Sequence, residues 1–386
     1  MNGMNIPFHK PYITDEEINA VVDTLKGGWL TMGPKTVKFE EAFKKYVGCG
    51  HAVAFNSCTA ALHLALDAIG LKERDEVIIP AITFAATAEV VCYFKARPIF
   101  ADVERDTHNM DVSRIEQKIT SKTKAIIPVH YGGQPCDMDE IMQIAKKHNL
   151  YVIEDAAHAL PSFYKDKKIG TISNITCFSF YTTKPLTTGE GGMATTENED
   201  WAEKMRVMRL HGISSDTWKR HSQEGFWYYE VIMQGYKYNM TDIQAALGME
   251  QLKKLEFMSE KRKKIAQRYN KAFAGIEEII IPFVKEDRVT SWHLYPIKLR
   301  VGGLRVDRNK FIEELRKRGV FTGVHFIPLY RFPFYKNNFD YKLSDFPNCE
   351  WIYERVISLP IYPGMRDEEI DYVIENMVTL IKTLKR

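Results

Sequence analysis

No CxxC pair occurs among the six cysteines (Cys49, Cys58, Cys92, Cys136, Cys177 and Cys349), and their spacing suggests no disulfide framework. The chain therefore reads as a protein of a reducing compartment, the cytoplasm. The eleven histidines contain no HxxxH pair and join no Cys/His cluster, so no metal site is expected. There is no excess of charge. With 53 basic and 50 acidic side chains the formal net charge is +3, too small to argue for nucleic acid. Met1 to Lys10 lacks the apolar core of a signal peptide. The most apolar stretch, Val77 to Phe94, is broken by Pro80 and Glu89, so it reads as a buried strand and a core helix, not a membrane span. No G-x-G-x-x-G follows the first strand, which removes the signature of a nicotinamide-dependent oxidoreductase. The nearest run, Gly189-Glu190-Gly191-Gly192, is late and wrongly spaced. Internal repeats and low-complexity segments are also missing.

What is present is an ordinary globular composition, 45% hydrophobic and 27% charged, over 386 residues, a length that suggests two domains. From residue 50 to 200 short apolar runs alternate with helical periodicity, the α/β pattern. Strands are predicted at Ala52–Phe55, Glu76–Ile79, Arg97–Ala101, Ala125–Val129, Tyr151–Glu154, Ile175–Phe180 and Gly192–Thr195. A helix is predicted at Met138–His148, with Ile141, Ile144 and Ala145 on one face. Thr241-Asp242-Ile243-Gln244 opens a further helix by the capping-box rule, to about Leu255. A separate charged helix follows at Ser259–Phe273, and the domain boundary is placed between them: residues 1–255 as a large α/β domain, 256–386 as a smaller α+β domain.

Three stretches carry candidate chemistry. The run Phe178 to Gly192 places Lys184 in a loop of hydroxyls and glycines with no acidic residue within five positions. A lysine of lowered pKa in such a place is a Schiff-base nucleophile; taken alone, the stretch reads first as a surface lysine beside a turn. Upstream, Tyr151-Val152-Ile153-Glu154-Asp155-Ala156-Ala157-His158 ends a strand in a carboxylate pair, where ligands bind in open α/β sheets. Asp155 either caps a short helix or faces a pyridine nitrogen and keeps it protonated. Lysine and aspartate together are the two protein groups that pyridoxal 5′-phosphate (PLP) chemistry requires. The third stretch, Asn56-Ser57-Cys58-Thr59-Ala60-Ala61, starts an apolar helix with hydroxyls and free N–H groups, a place for a phosphate.

With these motifs the chain resembles the DegT/DnrJ/StrS sugar aminotransferases, from Pro7-Phe8 to the last helix. Four ordered motifs carry the resemblance: Pro80 to Thr87, Glu154 to His158, Lys184 with Thr188-Gly189-Glu190-Gly191-Gly192, and Gly235 to Asp242. The resemblance implies PLP-dependent transferase fold type I: a mixed, mostly parallel seven-stranded sheet flanked by helices, plus a smaller α+β domain. It implies Lys184 as the Schiff-base lysine, Asp155 on the ring nitrogen, His158 near the ring hydroxyl and Phe84 on the ring face. Ser57, Cys58, Thr59 and Ser179 would hold the phosphate. It further implies a homodimer with the site at the interface, the loop carrying Lys237 and Asn239 reaching across from the partner.

The chain departs from the family at Tyr181, where many members have histidine, and at Lys237 and Asn239, where many have Asn and Arg. The Lys/Asn version resembles the branch that forms UDP-4-amino-4-deoxy-L-arabinose. Lysine at 184, where dehydratase relatives carry histidine, favours transamination. The expected reaction moves an amino group from L-glutamate to a nucleotide-linked keto-sugar, a 4-keto sugar by this resemblance. The aromatic and basic residues at 218–229, Trp227 and Tyr229 among them, are candidates for clamping the nucleotide, or pack in a dimer contact. Tyr181 and His325 are further substrate candidates; His293 reads as a strand histidine. The alternatives are a PLP-dependent dehydratase, a cyclitol aminotransferase, or an effector-binding regulatory protein on the same fold.

Overall fold

The computed structural model describes residues 4–214 and 228–386. The large sheet has seven strands, in the spatial order β1-β9-β8-β5-β4-β2-β3. Its members are β1 (His51–Phe55), β2 (Glu76–Pro80), β3 (Arg97–Ala101), β4 (Thr123–Ile126), β5 (Tyr151–Asp155), β8 (Ile175–Ser179) and β9 (Gly192–Thr196). Strand β9 runs antiparallel to both of its neighbours, and every other pairing is parallel. Strands of a sheet covered on both faces are buried along their length. Accordingly β8 and β9 are buried at every position and β1, β2 and β5 at all but their first. Strand β4 stops three residues before its predicted end, because Pro128 has no N–H to continue the ladder. The chain stays extended there, and the Pro128 carbonyl accepts from Asp155 N–H at 2.9 Å.

Helices cover both faces: α1 (Asp15–Gly27), α2 (Pro34–Val47), α3 (Cys58–Ala68), α4 (Ala85–Cys92), α5 (Met138–His148) and α6 (Glu199–Met208). The short strand β6 (Phe163–Tyr164) pairs antiparallel with β7 (Lys167–Lys168) on one side and with β11 (Arg288–Val289) on the other. The C-terminal part packs β10 (Ile279–Ile280), β12 (Tyr295–Leu299) and β13 (Val356–Leu359) against later helices, above all the terminal one, Asp367–Leu384. No helix among the described residues is long and apolar enough to cross a membrane.

The two helices predicted around residue 255 are one, α7, running 32 residues from Asp242 to Phe273. Glu256, Phe257 and Met258 include neither glycine nor proline, and the buried stripe passes straight through the join: Leu255, Met258, Arg262, Ile265, Tyr269. Leu255 and Met258 belong to the core under the large sheet, whereas Ile265 and Tyr269 belong to the C-terminal core. The helix itself therefore carries the chain from one core to the other.

The start of α7 also fixes the start of α2. The Asp242 carboxylate accepts from Gly33 N–H at 2.9 Å, Lys35 N–H at 3.0 Å, Thr36 N–H at 2.9 Å and the Thr36 hydroxyl at 2.7 Å. It thus satisfies the open amides at the head of a helix some 200 residues away in sequence (|i−j| = 206–209). Asp242→Ala strands these donors together and is expected to cost about 2–3 kcal/mol. In a thermal melt that corresponds to a fall of roughly 3–6 °C; an unchanged melt would show that other groups cap α2.

Candidate active site

Asp155 is the last residue of β5, at the carboxyl edge of the sheet. Consecutive strand residues point to opposite faces, and this separates the carboxylate pair. Glu154 turns away into the core, where its carboxylate meets His130 Nε2 at 2.7 Å, the Thr176 hydroxyl at 2.8 Å and Ser173 N–H at 3.3 Å. Burial pushes the Glu154 carboxyl up, but these donors hold it below the ordinary carboxylate range. His130 Nδ1 accepts from Cys136 N–H at 3.0 Å, so its Nε2 carries the proton shared with Glu154.

Asp155 faces the other way, into a cavity of about 510 Å³. Its carboxylate accepts from the Thr87 hydroxyl at 2.7 Å and from Ala157 N–H at 3.1 Å. Thr87 in turn lies 2.8 Å from the Thr83 hydroxyl. No helix begins after Asp155, so its role is not that of an N-cap. Burial raises the Asp155 carboxyl above its usual range, opposed by Thr87, Ala157 and the positive charge of Lys184. Lys184 lies on the loop after β8 and lines the same cavity. Burial lowers its amine to about 8, against the pull of Asp155 and Cys58.

The cavity's other wall is the start of α3. Ser57 is the N-cap, its hydroxyl accepting from Ala60 N–H at 3.1 Å. The N–H groups of Cys58 and Thr59 have no partner within the helix. Across the turn Gly192 packs directly against this backbone: a Cβ there would come within 2.5 Å of Cys58 N and of the Ser57 carbonyl. Ser57, Cys58, Thr59 and Ser179 all line the cavity, and a phosphate fits the amide cradle between them. The Cys58 thiol, pushed well up by burial and by Asp155, stays protonated.

His158 and Phe84 line the cavity as well, as do Tyr181 and His325. His158 Nδ1 accepts from Gly132 N–H at 3.2 Å, leaving Nε2–H as the ring's donor. Burial and the Lys184 charge keep this ring neutral. Of the remaining sequence candidates, Tyr229 and Lys237 are exposed and do not line the cavity, and Trp227 lies outside the described residues. Asn239 is buried in its own chain, bridged to Phe55 at the end of β1. The Lys237 carbonyl accepts from Asn56 Nδ2 at 3.2 Å, so this loop supports the residue next to the cradle.

The sequence reading passed over Phe8, Thr83, Phe326 and Glu190, all cavity residues, and the orienting role of Thr87. His293, read as a strand histidine, is in the wall with its ring 4.4 Å from that of His158. Phe326 stacks on His158 at 5.9 Å. Thr83 and Thr87 fall one helical turn apart in the Pro80 to Thr87 motif, a spacing that could have flagged them. Phe8, His293 and Phe326 come from distant segments, and nothing local in the sequence marks them.

Comparison with known proteins finds relatives along nearly the whole chain. The DegT/DnrJ/EryC1/StrS aminotransferase family model matches residues 11–378. The uncharacterised protein MJ1066 of Methanocaldococcus jannaschii is 56% identical over 97% of both chains. SpsC, a spore coat polysaccharide biosynthesis protein of Bacillus subtilis, is 48% identical over 98% of this chain and 97% of its own. Among solved structures, Spr1654 of Streptococcus pneumoniae, assigned as a sugar aminotransferase, superposes in its PMP form with a TM-score of 0.92. It is 38% identical, over 98% of this chain and 100% of its own; a PLP form of it has been solved too. The chain belongs to the DegT/DnrJ/EryC1/StrS aminotransferase family, as a PLP-dependent sugar aminotransferase.

Proposed function

We propose that the protein transfers an amino group from L-glutamate to a nucleotide-linked keto-sugar, with Lys184 and Asp155 as its catalytic residues. The observation that carries this reading is the convergence of Lys184, Asp155 and the α3 amide cradle on one cavity. When bound, PLP supplies the electron sink for a carbanion at the carbon bearing the nitrogen. Asp155, its carboxylate oriented by Thr87, holds the ring nitrogen's proton. Lys184 would hold the cofactor through its neutral amine and, once displaced by the incoming donor amine, would take a proton from the donor carbon at Nζ and return one to the acceptor carbon. His158 Nε2–H is a donor for the ring hydroxyl, and Phe84 covers a face of the ring. The remaining space lies between Tyr181, His325 and Phe326, where aromatic rings and neutral histidines suit a sugar's C–H faces and hydroxyls. A homodimer is part of this reading: Phe84, 63% exposed in the single chain, is too open for a ring-stacking residue until a partner covers the mouth.

The deciding experiment mixes PLP-loaded enzyme with L-glutamate and then with a panel of UDP-, dTDP- and GDP-linked keto-sugars. The visible cofactor band should bleach with glutamate and return with one keto-sugar, which leaves as an amino-sugar by mass. Lys184→Ala should abolish steady turnover. A band that glutamate leaves unchanged would remove glutamate as donor. Loss of oxygen from the sugar without gain of nitrogen would make the enzyme a dehydratase.

The lowered Lys184 pKa sets a pH dependence. The neutral amine is the nucleophile, so PLP capture by the apo-protein should quicken roughly tenfold per pH unit well below the amine pKa. It should level off above about 8. A profile still climbing past pH 10 would mean an ordinary, solvated lysine. The cradle is tested by Gly192→Ala, whose methyl has no room against the Ser57–Cys58 backbone and would push the head of α3 out of place. The PLP Kd should rise on the order of 100-fold, the worth of one or two charge-assisted hydrogen bonds. Unaltered PLP affinity in a titration of the folded variant would place the phosphate elsewhere.

A further inference from the structure

Lys184 stands on the loop between β8 and β9. Much of the loop's bonding closes it on itself: Lys184 N–H donates to Tyr181 O and Thr188 N–H to Phe180 O, both at 2.9 Å, and Gly189 N–H to the Thr187 hydroxyl at 3.0 Å. Its second half lies against α7. Gln244 Nε2 donates to Glu190 O at 2.7 Å, and Gln251 Oε1 accepts from Thr187 N–H at 3.4 Å. Between the two glutamines, a Cβ on Gly248 would come within 3.0 Å of the Thr188 methyl and 2.7 Å of the Phe39 ring. Residues 244, 248 and 251 are spaced by four and then three, so they share one face of the helix. They meet residues 190, 188 and 187 in turn, helix and loop running in opposite directions.

Gln251, 1% exposed, has no freedom in how its amide points. Its Nε2 donates to the Tyr12 carbonyl and to Glu17 Oε1, each at 2.8 Å. Turned over, the amide would set its oxygen against the Glu17 carboxylate and its NH2 against Thr187 N–H, acceptor on acceptor and donor on donor. Glu17 is itself fixed, because its other oxygen accepts from Thr14 N–H and from Lys254 Nζ, both at 2.9 Å. This anchored end of the loop is close to the lysine. Leu186 is fully buried in the same core as Ala245 and Leu255 of α7. Pro185, before it, has a locked φ. Lys184 is joined to Thr187 through these two residues alone, so a shift at Thr187 passes on to the lysine.

We propose that Gln251 and Gln244 are positioning residues: from one face of α7 they set the loop that carries Lys184, so the lysine's place over the cavity is fixed by the helix that joins the two cores. A site of this kind works only when its groups are held to within about 0.5 Å, and an irregular loop cannot supply that alone. The proposal rests on Lys184 as the cofactor lysine.

The test compares Gln251→Met and Gln244→Glu with the unaltered protein by amide hydrogen exchange, by the rate of PLP capture, and by the Kd of pyridoxine 5′-phosphate. That probe has an alcohol where PLP has its aldehyde, so it fills the cradle without bonding the lysine. Gln251→Met keeps the side chain's length and removes its hydrogen bonds. Gln244→Glu keeps the capping box with Thr241 and removes the N–H given to Glu190. Gln251→Met should speed exchange at residues 184–189 by roughly tenfold and slow PLP capture by a similar factor. Gln244→Glu should act in the same direction by about threefold. The pyridoxine 5′-phosphate Kd should stay within about twofold in both. The proposal is overturned if both variants capture PLP at the original rate. It is equally overturned if exchange rises as much in the remote helix Arg308–Lys317, or if the pyridoxine 5′-phosphate Kd rises in step with the loss of capture, since either result means general loosening. In those cases Lys184 keeps its assignment. Capture that persists unchanged in Lys184→Ala would remove the lysine assignment, and this proposal with it.

Discussion

The site depends on the cost of placing a carboxylate and an amine together out of water. An unpaired charge in a protein interior is expensive, and a buried group shifts toward neutrality unless something opposes it. Asp155 and Lys184 each feel that pressure, the carboxyl pushed up and the amine pushed down, and each is the other's opposing charge. Much of the surrounding structure serves to keep this pair where it is. Strand β5 delivers Asp155 to the carboxyl edge of the sheet, and Thr87 from α4 and the Ala157 amide supply its hydrogen bonds. A lysine amine near 8 is neutral for a useful fraction of the time at physiological pH, while a fully solvated lysine is not. The lowered pKa of the amine, which its proposed role as nucleophile needs, is thus a consequence of its burial.

The same pressure shapes the histidines around the pair. Burial lowers His325 to about 3 and His9 to about 4, and holds His158 and His293 well below their ordinary value, with the Lys184 charge adding to the effect in each case. Four neutral imidazoles beside one lysine give hydrogen-bond donors and acceptors without further charge. Two of them, His293 and His325, come from the C-terminal part of the chain, so the cavity is complete only when both cores are assembled. That assembly is secured by α7, which belongs to both cores, and by Asp137, whose carboxylate meets Lys285 at 2.7 Å and Arg288 at 2.7 Å across the same divide.

The sheet was legible in the sequence because its strands are short apolar runs between turn signals. All seven predicted strands are present, with ends displaced by a few residues where hydrogen bonding, not hydrophobicity, decides them, as at Pro128. At residue 255 the change in charge density suggests a break, but the helix runs on because no residue there can break it. Lys184, Asp155 and the α3 cradle were legible because each sits at a strand end or helix start, where local sequence fixes position. Phe8, Phe326 and the active-site place of His293 were not, because their meaning comes from packing between segments more than a hundred residues apart.

Glu154 and Asp155 show how far a motif can be carried by physics alone. The two carboxylates are chemically almost alike and adjacent, yet the pleat of β5 gives one to the core and one to the cavity. In the core Glu154 meets His130, Ser173 and Thr176, which hold its pKa below the ordinary range, and it braces β5 against the residues that precede and follow it in the sheet. In the cavity Asp155 has fewer partners and a raised pKa, the condition in which a carboxyl gains most from a bound cationic ring. Exchanging the order of the two residues would preserve composition, charge and hydropathy, and would put the longer side chain in the cavity and an unfilled methylene's width beside His130. The order Glu-Asp is therefore a geometric requirement, with strand alternation deciding which carboxylate braces the fold and which faces the chemistry.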